Sequence, residues 1–180
     1  MNKPPVIGII VPCYNEREVL DKTSDKLNVK ISDLIHNSII SEESFIVFVD
    51  DGSKDDTWKI ITDKVSEFKY IKGLKLSGNV GHQKALLAGL NTYMDKADAL
   101  ISIDADLQDD ISVIDDMIEY FKSGSDVVYG VREERNTDTF FKRNTAQLFY
   151  KIMKSMKVNI IYNHADYRLC SKRMLNALSE

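Results

Sequence analysis

Three polar segments, each directly after a run of apolar residues, carry most of the side chains in this sequence that could do chemistry. They are segments 12–16 (PCYNE), 50–53 (DDGS) and 104–108 (DADLQ). Carboxylates crowded at one site repel one another, so such a site needs compensation. The three segments together predict a site for a divalent cation and for a ligand rich in hydrogen-bonding groups.

Segment 104–108 has the composition of a site for a hard divalent cation. In an extended segment, residues two apart point to the same side, so Asp104, Asp106 and Gln108 would converge. With no His or Cys nearby, their oxygen atoms suit Mg²⁺ or Mn²⁺, held together with phosphate oxygens of a substrate. The residue types therefore predict a magnesium or manganese site.

Both acidic segments can also be interpreted as helix caps. Asp109 or Asp110 would cap a helix that begins near Ile111, and Asp55 or Asp56 would cap the helix that follows segment 50–53. These caps explain neither the array at 104–108 nor the paired carboxylates at 50 and 51.

The carboxylate of Asp51 is predicted to contact a nucleoside. At the exit of a strand it can accept a hydrogen bond from the imide N–H of uracil or from ribose hydroxyls. Gly52 permits a tight turn directly after it. For Asp50 a ligand contact and a structural role stay equally open.

Segment 12–16 and the later segment 78–83 (GNVGHQ) complete the predicted site. Pro12 and Tyr14 would form a rigid, aromatic wall for a nucleobase. In 78–83, Asn79 and His82 lie just before a predicted helix, whose backbone N–H groups can receive an anion. The competing interpretations are a capping box at positions 15 and 18, and an ordinary surface histidine at position 82.

The elements that must position these side chains alternate between two periodicities. Short apolar runs lie at 6–11, 45–49, 71–76, 99–103 and 127–131, and segments with helical spacing of apolar residues separate them. This alternation predicts right-handed βαβ crossovers, a mostly parallel sheet and helices on both faces. The predicted fold class is α/β, and ligands of such sheets bind at the carboxyl ends of the strands.

The composition excludes several classes of protein. Of 180 residues, 43% are hydrophobic and 29% charged, as in an ordinary globular domain. The net charge of −4 excludes a generally basic surface, so we expect no nucleic-acid partner. No apolar run approaches the roughly 18 residues of a membrane span, and the first residues are not a secretory signal. Cys13 and Cys170 are expected to be free, buried thiols in a reducing compartment.

Four motifs in this order resemble a known family: VPCYNE, VDDGSKDDT, NVGHQKALLAGL and DADLQDD. They are similar to those of the family 2 inverting glycosyltransferases, and the resemblance covers essentially the whole chain. It implies the A-type glycosyltransferase fold, a Rossmann-like domain that binds a nucleotide sugar. DADLQ and the later segments VREER, FKRNTAQLFYKI and ADYRLCSKR look most like the polyprenyl-phosphate sugar transferases.

The resemblance implies roles for individual residues on the donor side. The implied nucleotide-sugar site comprises Pro12, Tyr14, Glu16, Asp51 and Asp104, to which the loop at 78–83 adds Asn79 and His82. The implied metal ligands are Asp104, Asp106 and Gln108, with Mg²⁺ or Mn²⁺ as the cofactor. A UDP- or GDP-linked sugar is the implied donor.

On the acceptor side, the resemblance implies that Arg132 and Arg143 hold the phosphate of a polyprenyl lipid. Asp166 and Arg168 match an Asp-x-Arg motif near the catalytic centre, to which Asp104 and Asp106 also belong. A phosphate monoester, with a second pKa of about 6, is already ionised and needs cations but no base.

Three further alternatives concern the acceptor or the activity. A saccharide hydroxyl as acceptor would need a base, for which Asp166 is the candidate. A nucleotidyltransferase would release pyrophosphate, but the chain has no Gly-rich activation loop near the first strand, and a noncatalytic nucleotide-binding module would bind without turnover. The resemblance implies transfer of a hexose to a polyprenyl phosphate, and we take this as the predicted activity while the alternatives stay open.

We expect one glycosyltransferase domain over residues 1–180. Residues 1–131 would form its nucleotide-sugar and metal-binding part, and residues 132–180 its acceptor-side part. Members of this branch usually continue into amphipathic and transmembrane helices. We therefore expect a piece of a longer enzyme at the cytoplasmic face of the membrane, with a naturally soluble relative as the alternative.

Overall fold

The computed structural model describes residues 3–131 and 164–179, with side chains at 3–130 and 167–177. Within these ranges the strands are β1 (Ile7–Cys13), β2 (Phe45–Asp50), β3 (Ile71–Lys75), β4 (Ala99–Ser102), β5 (Val127–Val131) and β6 (His164–Ser171). The α-helices are α1 (Leu20–His36), α2 (Thr57–Glu67), α3 (His82–Tyr93), α4 (Val113–Lys122) and α5 (Lys172–Ser179). A 3₁₀ turn over Met94–Lys96 follows α3.

All six strands belong to one sheet in the order β3-β2-β1-β4-β6-β5. The strands β3, β2, β1 and β4 are parallel to one another, whereas β6 runs antiparallel to both β4 and β5. The first two crossovers lead outward from β1 on one side, and the next one returns to its other side. The winding therefore reverses between β1 and β4, which is where sheets of this kind bind ligands.

Helices cover both faces of the sheet, as the alternating pattern predicts. Ile7, Ile9 and Val11 of β1 pack in one core cluster with α1, α2 and α4, whereas Ile10 packs in a second cluster with α3. This alternation of neighbouring residues is the period of two that a strand imposes. The predicted α/β class with a mostly parallel sheet is confirmed.

Helix α1 illustrates why these sequences form these helices. Leu20, Leu27, Ile31 and Leu34 are buried and lie on one side of the helix, so that their burial stabilises it against the sheet. The helix ends at Asn37, whose backbone and side-chain amides both donate to the carbonyl of Asp33. The exposed opposite side carries the polar residues.

Two expectations about elements differ from the structure. The helix expected near Ile111 begins at Val113, after Asp110 accepts a hydrogen bond from the amide of Ser112. Strand β6 was not predicted, because its sequence HADYRLCS lacks a long apolar run.

Two predictions about the chain's surroundings can be compared with the described residues. Both cysteines are free and buried, as predicted. Among the helices in the described ranges, none is both long enough and apolar enough to cross a membrane.

Candidate functional site

A cleft lies at the carboxyl edge of the sheet, at the point where the winding reverses. It has two adjoining parts of about 280 and 210 Å³, and Pro12, Glu16 and His82 line both. We call the two parts together the switch-point cleft. The shared side chains come from the end of β1, the loop after it and the first residue of α3, so these motifs meet at one place.

Most residues of the predicted donor site line this cleft. Tyr14, Asp51 and Asn79 line the larger part, and Asp104 and Asp106 line the smaller part. Sequence reasoning missed Cys13 and Ala85, which line the larger part with side chains that offer only packing. Their apolar character resembles that of core residues, so their types alone gave no indication of a site.

The segment 104–108 is a turn, and the expectation that it is extended is wrong. Strand β4 already ends at Ser102, and the amide of Leu107 donates to the carbonyl of Asp104. Leu107 has a left-handed φ of 47°, and Oδ1 of Asp106 accepts from the amide of Gln108. The turn keeps both aspartates at the cleft, whereas Gln108 is exposed and is not among the residues that line it.

Glu16 adds a third carboxylate to this part of the cleft. Burial raises its pKa above the ordinary value, and the charges of Asp106 and Asp104 raise it further. The effect shows that three acidic groups are close enough to repel one another. In the described part of the chain, no three His, Cys, Asp or Glu side chains are arranged closely enough to enclose a metal ion. The oxygen donors and their mutual repulsion nevertheless fit a divalent cation completed by ligand oxygens.

Asp51 holds the loop that precedes α3. Its Oδ1 accepts from the amide of Val80 at 2.7 Å, and its Oδ2 accepts from the amide of Gly81 at 2.9 Å. The residue is only 2% exposed, so these bonds are shielded from water. Each carboxylate oxygen has a second lone pair, so Asp51 can hold this loop and still accept from a ligand.

Two glycines allow the loops after β2 and before α3 to approach so closely. Gly52 has a φ of 69°, and a Cβ at this position would lie 2.6 Å from the backbone of Gly78. Gly81, at the N-cap of α3, has a φ of 91° that other residues rarely adopt. The glycines thus place His82 and the start of α3 beside Asp51.

The loop after β1 is tied to the loop after β2, and the capping-box interpretation is wrong. The amide of Asn15 donates to Ser53 Oγ, and Asn15 Oδ1 accepts from the amide of Lys54. The amide of Glu16 donates to the hydroxyl of the buried Thr57 at 2.8 Å. Helix α1 begins only at Leu20, so Asn15 fixes the cleft wall and caps no helix.

Asp50 lies beneath the cleft and is not among the residues that line it. Its side chain is fully buried, and its Oδ1 accepts from the amide of Ser53 at 3.2 Å. The neighbouring Cys13 thiol has a pKa well above its ordinary value because of burial, with Glu16 and Asp50 contributing. These contacts favour the structural role for Asp50 that the sequence left open.

The acceptor-side residues are only partly described. Arg168 lies on β6, paired with Ser102 of β4 and Tyr129 of β5. Asp166 precedes it on the same strand, at the edge where β4 ends, and its side chain lies outside the described residues. Arg132 and Arg143 also lie outside them.

With the geometry established, comparisons with known proteins identify the family. The model of glycosyl transferase family 2 matches residues 8–179. The chain belongs to this family. The match includes every motif that converges on the switch-point cleft, and it confirms the resemblance seen in the sequence.

Relatives within glycosyl transferase family 2 are similar over nearly the whole chain. It is 55% identical over 174 residues to the glycosyltransferase YkoT of Bacillus subtilis, and the aligned region covers 97% of this chain and 52% of YkoT. It is 38% identical over 170 residues to the prophage bactoprenol glucosyl transferase homolog of Escherichia coli, and the aligned region covers 92% of this chain and 52% of that protein. The chain thus spans about half the length of these curated relatives.

Solved structures of other glycosyltransferases confirm the predicted A-type fold. One is a mannosyltransferase of Pyrobaculum calidifontis in complex with GDP-Man and Mn²⁺, with a TM-score of 0.65 and 17% sequence identity. The match covers 97% of this chain and 47% of the mannosyltransferase chain. Another is glucosyl-3-phosphoglycerate synthase of Mycobacterium tuberculosis in complex with Mn²⁺, UDP and glucosyl-3-phosphoglycerate, with a TM-score of 0.60 and 17% sequence identity. The match covers 94% of this chain and 57% of the synthase chain. The chain is thus a member of glycosyl transferase family 2 with the A-type glycosyltransferase fold.

Proposed function

We propose that this chain catalyses transfer of a hexose, with inversion, from a nucleoside diphosphate sugar to a polyprenyl phosphate. The observation that carries the proposal is the continuity of the switch-point cleft. Tyr14 and Asp51 line one part and Asp104 and Asp106 the other, with Glu16 shared between them. One end suits a nucleoside and the other suits a charged diphosphate with its cation.

In the proposed donor complex, the larger part of the cleft holds the nucleoside. Pro12 and Tyr14, which is 39% exposed, provide a surface for the base. Asp51 accepts from the base or the ribose while it retains its bonds to the loop before α3. Asn79 and His82 lie where the first backbone amides of α3 favour an anionic group.

The smaller part of the cleft would hold the diphosphate together with Mg²⁺ or Mn²⁺. Asp104 and Asp106 are the proposed protein ligands of the cation. The role of Gln108 as a third ligand stays a prediction, and it would require the Gln108 side chain to turn toward the cleft. When bound, the cation would stabilise the negative charge that develops on the departing diphosphate. The two aspartates would hold this cation.

The acceptor half of the proposal is supported by the names of relatives. Proteins 36–38% identical to this chain are named bactoprenol glucosyl transferases or their homologue. We propose that residues 1–131 form the donor and metal part and residues 132–180 the acceptor part. Arg132 and Arg143 would hold the lipid phosphate, with Asp166 and Arg168 nearby, at the cytoplasmic face of a membrane.

The test is transfer of radioactive sugar into lipid. The protein is incubated with Mn²⁺, undecaprenyl phosphate and either UDP-[¹⁴C]glucose or GDP-[¹⁴C]mannose, and the label in the organic phase is counted. We expect labelled lipid with one of these donors and a loss of at least about 100-fold with Asp106→Asn. The matched control, Asp116→Asn on the exposed side of α4, should retain activity.

The products also decide between acceptors. Label that appears in an added oligosaccharide and not in lipid would contradict the polyprenyl phosphate acceptor and support a saccharide hydroxyl. Metal-dependent binding of the donor without transfer to either acceptor would contradict catalysis altogether.

A further inference from the structure

The turn that carries Asp104 and Asp106 is fastened to helix α1 by a buried hydrogen bond. The hydroxyl of Thr23 donates to the carbonyl of Ala105 at 2.5 Å, across 82 positions in the sequence. Thr23 is 2% exposed and Ala105 is 3% exposed, so water does not compete for this bond. The bonded carbonyl lies between the two aspartates in the chain, and the hydroxyl therefore holds the peptide that joins them.

This contact is unusual for a hydroxyl in the interior of a helix. Such groups commonly bond to a carbonyl of the preceding helical turn. The neighbouring Ser24 does so, because its hydroxyl lies 2.8 Å from the carbonyls of both Leu20 and Asp21. The Thr23 hydroxyl instead bonds to another part of the fold, and a buried hydroxyl without that partner would be costly.

The start of helix α1 also holds the backbone of Glu16, which carries the third carboxylate of the cleft. The amides of Val19 and Leu20 donate to the carbonyl of Glu16 at 3.1 and 3.0 Å. Glu16 therefore lies one turn before α1 and is bonded to its first residue, and Thr23 lies in the first turn of the helix. The helix links Glu16 to Ala105 and so sets the spacing between Glu16 and the two aspartates.

The three carboxylates repel one another at this spacing, so a force must hold the turn in place. The left-handed φ of Leu107 shows that the turn is a backbone conformation that non-glycine residues seldom adopt. The bond from the Thr23 hydroxyl carries no charge, so it can hold the turn against this repulsion without neutralising the carboxylates. This keeps their charge available for a cation.

We propose that Thr23 is a positioning residue, which fixes Asp104 and Asp106 relative to Glu16 and thereby sets the affinity of the cleft for a divalent cation. The inference rests on the cation site of the proposed function. It concerns a residue that contacts neither the cation nor the donor, and it assigns to α1 a role in the geometry of the cleft.

The test compares Thr23→Val, which keeps the shape but lacks the hydroxyl, with Thr23→Ser, which keeps the hydroxyl. Ser24→Ala is the matched control, because it removes a buried hydroxyl bonded only within α1. The affinity of the full chain for Mn²⁺ is measured by calorimetric titration with MnCl₂, alone and with UDP or GDP. Hydrogen exchange at the amides of Leu107 and Gln108 is measured without metal.

We expect Thr23→Val to weaken Mn²⁺ binding by about three- to tenfold and to accelerate exchange at both amides. Thr23→Ser and Ser24→Ala should bind Mn²⁺ within about twofold of the unaltered chain. Should Thr23→Val not fold, Thr23→Ala, which introduces no misplaced methyl group, replaces it. If a folded variant that lacks the hydroxyl binds Mn²⁺ as tightly as the unaltered chain does, the inference is overturned while the proposed function stands.

Two other outcomes also count against the inference. Equal weakening in Ser24→Ala would show a general loss of stability, and would overturn a specific role for Thr23. An unaltered chain that binds no Mn²⁺ would overturn the proposed cation site, and this inference with it.

Discussion

The Nε2 atom of His82 lies 3.5 Å from Oδ1 of Asp104, and this contact joins the first turn of α3 to the turn after β4. The two side chains are 44% and 38% exposed, so they border the cleft and a ligand can reach them. The contact lies between the larger and the smaller part of the cleft. His82 is therefore well placed to contact the proposed donor where its nucleoside and its diphosphate meet.

Replacement of His82 by Ala should weaken donor binding more than stability. Because the imidazole is partly exposed, we expect the free energy of unfolding to change by less than about 1 kcal/mol. The KM for the donor should rise about three- to tenfold through loss of a polar contact. Steady-state kinetics with varied donor checks this, and Leu87→Ala, at a 53% exposed position of the same helix, is the control. An unchanged KM would remove His82 from the donor site.

Replacement of Gly81 by Ala should destabilise the loop before α3 through backbone strain alone. A Cβ at this position meets no atom within 4 Å, but the φ of 91° disfavours any L residue. We expect a loss of about 1–3 kcal/mol in the free energy of unfolding, measured with urea. Gly78→Ala is the matched control, since its Cβ also meets open space and its φ is not left-handed. Equal losses in both variants would contradict the strain argument.

Replacement of Asp51 by Asn should also destabilise this loop, for a different reason. The carboxylate accepts from two backbone amides, whereas an amide side chain turns one N–H group toward another donor. We expect a loss of about 1–3 kcal/mol in the free energy of unfolding. Asp56→Asn provides the same chemical change at an exposed position whose side chain does not cap α2, and it should cost less than about 0.5 kcal/mol. A comparable loss of stability in Asp56→Asn would show that the bonds from Asp51 to the backbone amides of the loop do not cause the effect.

Replacement of Glu16 by Gln should stabilise the metal-free chain at neutral pH. Folding raises the pKa of Glu16 above its ordinary 4.5, so the folded state binds the proton more tightly and stability falls as pH rises through that window. Gln carries no charge, so it avoids both the cost of burying the carboxylate and its repulsion by Asp106 and Asp104. At pH 7 the gain should be about 0.5 kcal/mol or less, because water screens this partly exposed group. The gain should vanish near pH 4.

The pH dependence of this gain is measured by urea unfolding between pH 4 and pH 8. Asp106 is the first of the charges that raise the Glu16 pKa, so the same substitution in an Asp106→Asn background should gain less. A gain that is independent of pH, or unaffected by Asp106→Asn, would contradict repulsion as the cause.

The main part of the fold could be predicted because its strands and helices differ clearly in hydrophobic period. Strands β1, β2 and β4 consist mainly of apolar residues and are buried on both faces, and parallel sheets covered by helices produce that pattern. Strand β6 escaped prediction because it combines His164, Asp166 and Arg168 with apolar residues. Its place between β4 and β5 depends on tertiary pairing, which local periodicity does not express.

The candidate site was predictable in its location and less so in its geometry. Strand ends of a parallel sheet share one edge, so the motifs had to lie near one another. The left-handed conformations of Asn15 and Leu107 have no glycine to indicate them, and they changed how both loops are built. The bond from Thr23 to Ala105 joins residues far apart in the sequence, so no motif could contain it.

Strands β5 and β6 pair as antiparallel neighbours, and Val131 at the end of one is registered with His164 at the start of the other. The chain therefore departs from the sheet and re-enters it at adjacent points on the same rim. Because those two points are paired within the sheet, both attachment points of the intervening stretch are fixed relative to the other strands. A chimaera that exchanges this stretch with that of a relative would therefore keep its two attachment points, and under the proposed division of the chain it would exchange part of the acceptor side.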